Sequence, residues 1–334
     1  MKYRFCTCFD RNYLVTGLTL FRSLLRSVPD FVLYAAALDE EAYRLLQEWG
    51  DARLVPVRLS EIEEADPEFA ACRPGRSRAE YCFTLSPVLP LFLFRRFPEA
   101  ETLNYLDADL FFYRDPEPLY RELGERSILI CPHRFPESLR WRERFGIYNV
   151  AYQIYRRTPE CFRLLERWRR QCIDWCFDRV EPERFADQKY LNEWPSLSAD
   201  VAVSQHAGAD VGPWNWMTLD WRKAEDGSWN PSGEPLLFYH YQGCRFLMSG
   251  VLCHNLGSYG TRMPGELRDY LYGGYGRKWL ETRELLMHRF PREEFPLAMR
   301  ANRTGFSIFR GVLSGLRHHN LMWCRGVGAP TASL

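Results

Sequence analysis

The sequence predicts an α/β fold with a mostly parallel sheet, and three observations support this prediction. Apolar runs alternate with amphipathic stretches of helical period over residues 3–59, the order that produces right-handed crossovers between parallel strands. Residues 31–38 form a continuous apolar run, which is typical of a strand buried on both faces. The chain has 334 residues, of which 46% are hydrophobic, enough to build a large core.

The first half of the chain can be divided into elements by local signals. Residues 3–8 predict a strand, and the apolar positions that follow from Leu14 have helical spacing. Asp39 is placed to cap a helix over 40–49, which Gly50 would end, and residues 53–59 predict a third strand. Residues 61–78 are polar and predict a surface excursion. Residues 81–97 predict a helix that Pro87 and Pro90 should break or kink.

The second half continues the alternation of strands and helices. A helix should begin at Pro159, and its predicted inner face ends in Cys172, with Cys176 on the same face. A short helix is expected over residues 185–194. Further strands are predicted to complete the sheet region over residues 102–112, 127–131, 147–155, 201–204 and 236–241.

Composition excludes several classes of protein. The 44 basic and 43 acidic residues give a net charge of +1, so a nucleic-acid partner is not expected. The eleven cysteines have neither a disulfide nor a zinc spacing and are interpreted as buried thiols of a reducing cytoplasm. No signal peptide is recognised, and no apolar run reaches the roughly 18 residues of a membrane span.

The most informative segment is an apolar strand that leads into two acids, Asp107 and Asp109. On an extended backbone, side chains two residues apart point the same way, so the two carboxylates should converge on one point. Ligands in open α/β sheets bind at the carboxyl ends of the strands. Hard oxygen ligands of this kind suit Mg²⁺ or Mn²⁺, with coordination positions left for a diphosphate.

Four sequence pieces together resemble the GT-A glycosyltransferases, most closely the glycosyltransferase family 8 type, over about residues 2–245. They are Phe9-Asp10-Arg11-Asn12-Tyr13, Asp107-Ala108-Asp109, Asn149 with the later Asp187-Gln188, and His240-Tyr-Gln-Gly243-Cys-Arg245. The resemblance implies a GT-A Rossmann-like mixed sheet with flanking helices. It also implies that Asp107, Asp109 and His240 hold the metal bound to the diphosphate of a nucleotide-sugar donor.

The resemblance implies further roles. Gly243 and Arg245 would approach the phosphates, with arginine standing where the family has lysine, a sensible change because both bind phosphate. The nucleoside would lie near Asp10 and Asn12, with Cys8 and Tyr13 beside them, and the transferred sugar near Asn149, Asp187 and Gln188.

Two departures and three alternatives accompany the match. Phe246-Leu247 replaces the family's Pro-Trp, and its basic residue before the acidic strand is missing, so Arg76 or Arg78 would have to substitute. A histidine in an apolar strand is usually a core residue, and Asp10 could serve as a helix cap. The residues assigned to the sugar could equally serve as loop and cap residues.

The sequence divides into a catalytic domain over residues 1–258 and a basic, mostly helical extension over 259–334. Within the extension, residues 303–317 alternate an apolar stripe with an arginine stripe. Such a helix can pack on the domain, the favoured interpretation, or lie peripherally on the cytoplasmic face of an anionic membrane.

The expected activity is cytoplasmic, metal-dependent transfer of a sugar from a UDP-sugar to a hydroxyl of a glycan or lipid-linked acceptor, as in surface polysaccharide synthesis. Retention of anomeric configuration is implied by the resemblance alone. One alternative is a catalytically inactive donor-binding or scaffolding protein. A sugar nucleotidyltransferase ranks lower, because the loop after the first strand has no glycine before Gly17.

Overall fold

The computed structural model describes residues 3–248, 250–297, 315 and 319–324. The strands are β1 (Tyr3–Phe9), β2 (Phe31–Ala37), β3 (Leu54–Arg58), β4 (Thr102–Leu106), β5 (Leu110–Phe112), β6 (Ile128–Pro132), β7 (Tyr148–Arg156), β8 (Val201–Val203), β9 (Trp221–Lys223), β10 (Trp229–Pro231), β11 (Phe238–His240), β12 (Arg245–Met248), β13 (Val251–Cys253) and β14 (Leu321–Trp323). The α-helices are α1 (Leu14–Ser27), α2 (Glu40–Trp49), α3 (Leu59–Ala65), α4 (Pro67–Ala71), α5 (Arg78–Arg96), α6 (Glu117–Leu123), α7 (Pro159–Asp174), α8 (Trp194–Leu197), α9 (Gly265–Arg268) and α10 (Gly274–Arg289).

A seven-stranded sheet with the order β3-β2-β1-β4-β7-β6-β8 forms the centre of the molecule. Strand β7 runs antiparallel to its neighbours β4 and β6, and the remaining pairs in this sheet are parallel. One large cluster of buried apolar side chains lies on each face. The predicted fold class, an α/β core with a mixed, mostly parallel sheet and flanking helices, is confirmed.

Local sequence signals explain several element boundaries. The Asp39 side chain accepts a hydrogen bond from the Ala42 amide at 2.8 Å, and Gly50 ends α2 with a φ of 69°. Helix α5 is continuous through Pro87 and Pro90, so the predicted break does not occur. Both prolines are buried, and the packing of this helix against the sheet and α7 offsets the hydrogen bonds that proline removes.

Two other predictions from the sequence were wrong in detail, and a third was incomplete. Residues 61–78 lie mostly at the surface, as predicted, but they include α4 and part of α3, and Asp66 caps α4 and pairs with Arg169 of α7. Strand β11 does not join the central sheet; it pairs with β5 in a separate two-stranded sheet. Cys176 lies beyond the end of α7, and all eleven cysteines are free thiols.

The region after residue 258 packs on the core through α10. The Trp279 indole donates to Thr16 of α1 at 3.1 Å, and Arg22 of α1 donates to Thr282 at 2.9 Å. The arginine-rich stretch predicted over 303–317 lies outside the described residues, apart from Gly315. None of the helices within the described residues has the length and apolar character needed to cross a bilayer.

Candidate active site

The acidic pair lies in a turn between β4 and β5. The Asp107 amide donates to the Ala151 carbonyl at 2.9 Å, and the Leu110 amide closes the turn on the Asp107 carbonyl at 3.2 Å. The extended backbone assumed for residues 107–109 is therefore wrong. The pair still projects from the carboxyl end of a central strand, and both side chains are partly exposed.

Strand pairing brings His240 to the acids from a distant part of the sequence. In the β5–β11 pair His240 lies opposite Leu110, the residue after Asp109. Its Nε2 atom is 3.0 Å from Asp109 Oδ1 and 3.9 Å from Asp107 Oδ2. One ligand atom from each of the three residues lies within 4.8 Å of the others. This geometry fits a metal centre made of two carboxylates and one imidazole.

Burial and mutual charge shift the pKa values of this cluster. Burial alone would lower the pKa of His240, but the carboxylates of Asp109 and Asp107 outweigh it and raise that pKa to about 9. Burial raises the pKa of Asp107 to about 6, with a further contribution from the charge of Asp109 and an opposing one from His240. The excess of negative charge around one imidazole creates a site that favours a cation.

The donor set suits Mn²⁺ or Mg²⁺. Carboxylate oxygens are the ligands that both ions prefer, and an imidazole nitrogen is compatible with Mn²⁺. A thiolate-rich set would instead favour zinc, and within the described residues no cysteine belongs to this cluster.

A buried network that the sequence did not predict supports His240 from behind. The Asn149 side-chain nitrogen lies 3.2 Å from His240 Nδ1 and donates to both carboxylate oxygens of Asp210, at 3.0 and 3.2 Å. Asp210 is fully buried and has a φ of 52°. The Asn215 side-chain nitrogen donates to the backbone carbonyl of Asp210 at 3.0 Å. Asn149 is thus directed at His240 in this structure, although the resemblance placed it near the transferred sugar.

Asp187 and Gln188 follow a residue with left-handed backbone, Ala186, whose φ is 45°. The Trp168 indole donates to the backbone carbonyl of Asp187 at 2.8 Å. The side-chain amide of Gln188 donates to the backbone carbonyl of Phe145 at 3.1 Å. Burial raises the pKa of Asp187 to about 7, and the charge of Asp107 adds to this shift. The charges of Asp187 and Asp107 therefore influence each other.

The loop after β1 holds the first group of predicted residues. Asp10 caps the 3-10 turn Arg11–Tyr13 by accepting from the Tyr13 amide at 3.0 Å, as the alternative interpretation predicted. The same carboxylate also pairs with Arg78 at 2.7 Å, and Asn12 donates to it at 3.4 Å.

Arg78 is the basic residue that α5 contributes to this side of the site, and it bridges Asp10 and Asp39. Arg76, the other candidate, donates instead to the Cys172 and Ile173 carbonyls.

Cys8 and Tyr13 lie close to this loop and to the acids. The Cys8 and Cys82 sulfurs are 3.4 Å apart, and Cys82 stands one helical turn after Arg78 on α5. Burial, followed by the charge of Asp109, raises the pKa of Tyr13 to about 12. Tyr13 is nevertheless 39% exposed, so its ring can be reached by a ligand.

The segment after β11 contains Gly243 and Arg245. Gly243 has a φ of 71°, and a Cβ atom there would lie 2.4 Å from the Asn255 side-chain nitrogen, so the turn requires glycine. Arg245 begins β12 and donates to the Gly243 carbonyl at 3.2 Å. Among the described residues it makes no ion pair, which leaves its charge available for an anion.

Sequence reasoning missed Asp210, which lies four residues before Trp214, whose ring centroid is 5.3 Å from that of His240. Both belong to the stretch Gly208-Ala-Asp-Val-Gly-Pro-Trp214. An acid within a loop rich in glycine and proline is a signal of a functional loop, and it could have drawn attention to this stretch.

Comparison with known proteins gives the following similarities. No protein-family model matches the chain. The uncharacterized protein YfnD of Bacillus subtilis (strain 168) is 30% identical over 244 residues, which cover 72% of this chain and 78% of YfnD. YfnF of the same organism is 29% identical over 262 residues, covering 74% of this chain and 83% of YfnF.

Solved structures with lower similarity include three sugar transferases. Mouse xyloside xylosyltransferase 1 has a TM-score of 0.45 and 14% identity, covering 71% of this chain and 97% of its own. The galactosyltransferase LgtC, in complex with donor and acceptor sugar analogs, has a TM-score of 0.45 and 16% identity, and the match covers 80% of this chain and 100% of LgtC. GlyE of Streptococcus pneumoniae TIGR4 has a TM-score of 0.47 and 16% identity, and the match covers 87% of this chain and 64% of GlyE.

Proposed function

This chain belongs to the same family as YfnD of Bacillus subtilis, and we propose that it is a metal-dependent glycosyltransferase acting on a nucleotide-diphosphate sugar. The observation that carries the proposal is the cluster of Asp107, Asp109 and His240 at the end of a central strand. Three ligands from one side of an ion leave open positions for the oxygens of a diphosphate.

Asp107, Asp109 and His240 would hold the metal, Mn²⁺ or Mg²⁺. A bound divalent ion acts as a Lewis acid and stabilises the charge that develops on a leaving diphosphate. Asn149, backed by Asp210, fixes the His240 ring from its Nδ1 side. Such support keeps a ligand oriented and commonly contributes strongly to metal affinity.

The remaining site residues divide between the two halves of the donor. Arg245, which makes no ion pair with the described residues, binds the diphosphate and adds positive charge where the leaving group forms. Asp187 and Gln188 position the transferred sugar, and a carboxylate at Asp187 stabilises positive charge at the anomeric carbon. We assign retention of configuration to this transfer, as the resemblance to glycosyltransferase family 8 implies.

The nucleoside would bind at the loop after β1. Asp10 and Arg78 offer an acceptor and a donor side by side, which matches the adjacent donor and acceptor groups on the edge of uracil. Asn12, Cys8 and Tyr13 line the same side. We propose UDP as the donor nucleotide. The acceptor is a glycan or a lipid-linked sugar in polysaccharide synthesis.

The test is titration of purified protein with UDP in the presence and absence of Mn²⁺, followed by hydrolysis assays with UDP-, GDP- and CMP-sugars. Wild type should bind UDP only with the metal, and the true donor should raise the melting temperature most, because a ligand of the native state stabilises it by mass action. Asp109→Ala should abolish both metal-dependent binding and hydrolysis without changing the circular dichroism spectrum.

The outcomes separate the competing functions. Full metal-dependent activity in a folded Asp109→Ala protein would refute the metal assignment. Tight UDP-sugar binding without hydrolysis or transfer to any acceptor would favour the inactive donor-binding protein instead.

A further inference from the structure

One tryptophan beside the candidate site is exposed without an evident structural reason. Trp141 lies in the 3-10 segment Glu137–Phe145 between β6 and β7, and it is 52% exposed. Tryptophan is enriched at interaction surfaces, because its large apolar ring carries an N–H group that can stay in contact with water.

The surroundings of Trp141 hold its ring in place. The Arg142 guanidinium carbon lies 4.7 Å from the Trp141 ring centroid and 4.4 Å from the Tyr259 ring centroid. Arg142 also donates to the Ser258 carbonyl at 2.8 Å. The indole is therefore braced on one side and open to solvent over half of its surface. A ring fixed before binding loses little conformational entropy when a ligand stacks on it.

Two paths of contact connect this segment to the donor side. The Phe145 carbonyl accepts from Gln188 at 3.1 Å. On the other path, the Tyr259 ring is 6.1 Å from that of Trp214, which is itself 5.3 Å from His240. The segment that carries the exposed indole is thus connected through intervening residues to His240 and to the loop of Gln188.

The charges around Trp141 indicate the chemistry of the ligand. Arg140 is paired with Glu137 at 2.8 Å, but Arg144 makes no ion pair with any described residue. The Arg144 guanidinium carbon lies 5.0 Å from the Trp141 ring centroid, so a cation that no described acid pairs with lies against an indole that is 52% exposed. A sugar ring offers C–H groups to an indole, and an acidic substituent on it would pair with the guanidinium.

We propose that Trp141 and Arg144 form an acceptor subsite for an acidic glycan, one whose sugar rings carry carboxylate groups. The inference rests on the proposed function, because it makes this surface the place where the acceptor chain extends from the reacting sugar. Trp141 stacks on a ring of the chain, and Arg144 binds its carboxylate. Arg142 is a positioning residue that holds the indole.

The experiment uses the full chain and tetragalacturonic acid as the acidic glycan, with its neutral methyl ester for comparison. Affinities for wild type, Trp141→Ala and Arg144→Ala are measured by calorimetric titration. The matched controls are Trp323→Ala, at a tryptophan on β14 that is 65% exposed, and Arg140→Ala, at a paired arginine of the same segment.

Trp141→Ala should weaken binding of both glycans roughly tenfold, a typical loss for one aromatic contact. Arg144→Ala should weaken the acid but not the ester, and both controls should stay within about twofold of wild type. UDP affinity with Mn²⁺ should be the same in all five proteins. The inference is overturned if wild type does not bind the acid, or if Trp141→Ala binds it as tightly. If the glycan affinities are as expected but wild type does not bind UDP with Mn²⁺, the proposed function is refuted. The assignment of Trp141 and Arg144 as a glycan-binding surface would then still be supported.

Discussion

Replacing Asp187 by asparagine should stabilise the protein while it abolishes sugar transfer. Asp187 is only 5% exposed, and burial raises its pKa from 3.8 to about 7. Between those two pH values the folded state keeps a proton that the unfolded state has released. The free energy of unfolding therefore falls as the pH rises through this window. At pH 8 the shift of about 3 units corresponds to a loss of roughly 4 kcal/mol, which asparagine would largely restore.

Asp66 provides a matched control with the opposite sign. It is also 5% exposed, but Arg169 and the Phe69 amide overcome the effect of burial and hold its pKa below the ordinary value. Its carboxylate therefore stabilises the fold at neutral pH, and this contribution is lost as the pH falls below about 4. Asp66→Asn should destabilise the protein at pH 8, by breaking a buried ion pair with Arg169.

The assay is thermal unfolding of wild type and both variants at pH 8 and pH 4.5, without metal. Asp187→Asn should raise the melting temperature by roughly 5 °C at pH 8 and by much less at pH 4.5. Asp66→Asn should lower it at pH 8. An Asp187→Asn protein that melts at or below the wild-type temperature at pH 8 would refute the reasoning. A gain of equal size at both pH values would show that it does not come from the carboxylate charge.

Three further predictions concern the metal and diphosphate side of the site. His240→Ala should weaken Mn²⁺ binding and Arg245→Ala should weaken UDP binding, each by on the order of 2 kcal/mol in calorimetric titrations. Unchanged affinities in both variants would show that β11 and the segment after it have only a structural role. Because the pKa of His240 is raised to about 9, metal must displace a proton there, and Mn²⁺ affinity should rise up to about tenfold per pH unit between pH 6.5 and 8; a flat profile would contradict this. Gly243→Ala should lower the melting temperature, since its Cβ atom would meet Asn255, and a wild-type value would show that the turn can adjust.

The parts of the fold that the sequence predicted well depend on local signals. The cap at Asp39 and the left-handed Gly50 bound α2 as expected, because both residues act within one turn of the helix. The break expected at Pro87 and Pro90 did not occur, because burial of α5 against its neighbours outweighs a local preference. Packing between distant segments cannot be predicted from a short stretch of sequence.

The candidate site shows the same division between local and distant effects. Asp107 and Asp109 are separated by only one residue, so a motif could reveal them. Asp210 could not be placed from the sequence, because its role depends on Asn149 reaching it from β7 and on β11 carrying His240 to the same point. Choosing Arg78 over Arg76 likewise required knowing which way the first turn of α5 faces.

The electrostatics of the site argue against a purely structural role for it. Burial raises the pKa values of Asp107, Asp187 and Asp210 together, so each of these carboxylates is less stable as an anion than it would be in water. Plain core residues at these positions would avoid that cost, and Asp66 shows that this chain can pair a buried acid when its fold requires one. The protonated His240 compensates these acids only in part, because the pKa values of Asp107 and Asp210 stay raised to about 6, and a divalent cation would compensate them further. Metal and donor binding would therefore offset the cost of burying these carboxylates, a cost that the fold alone does not require.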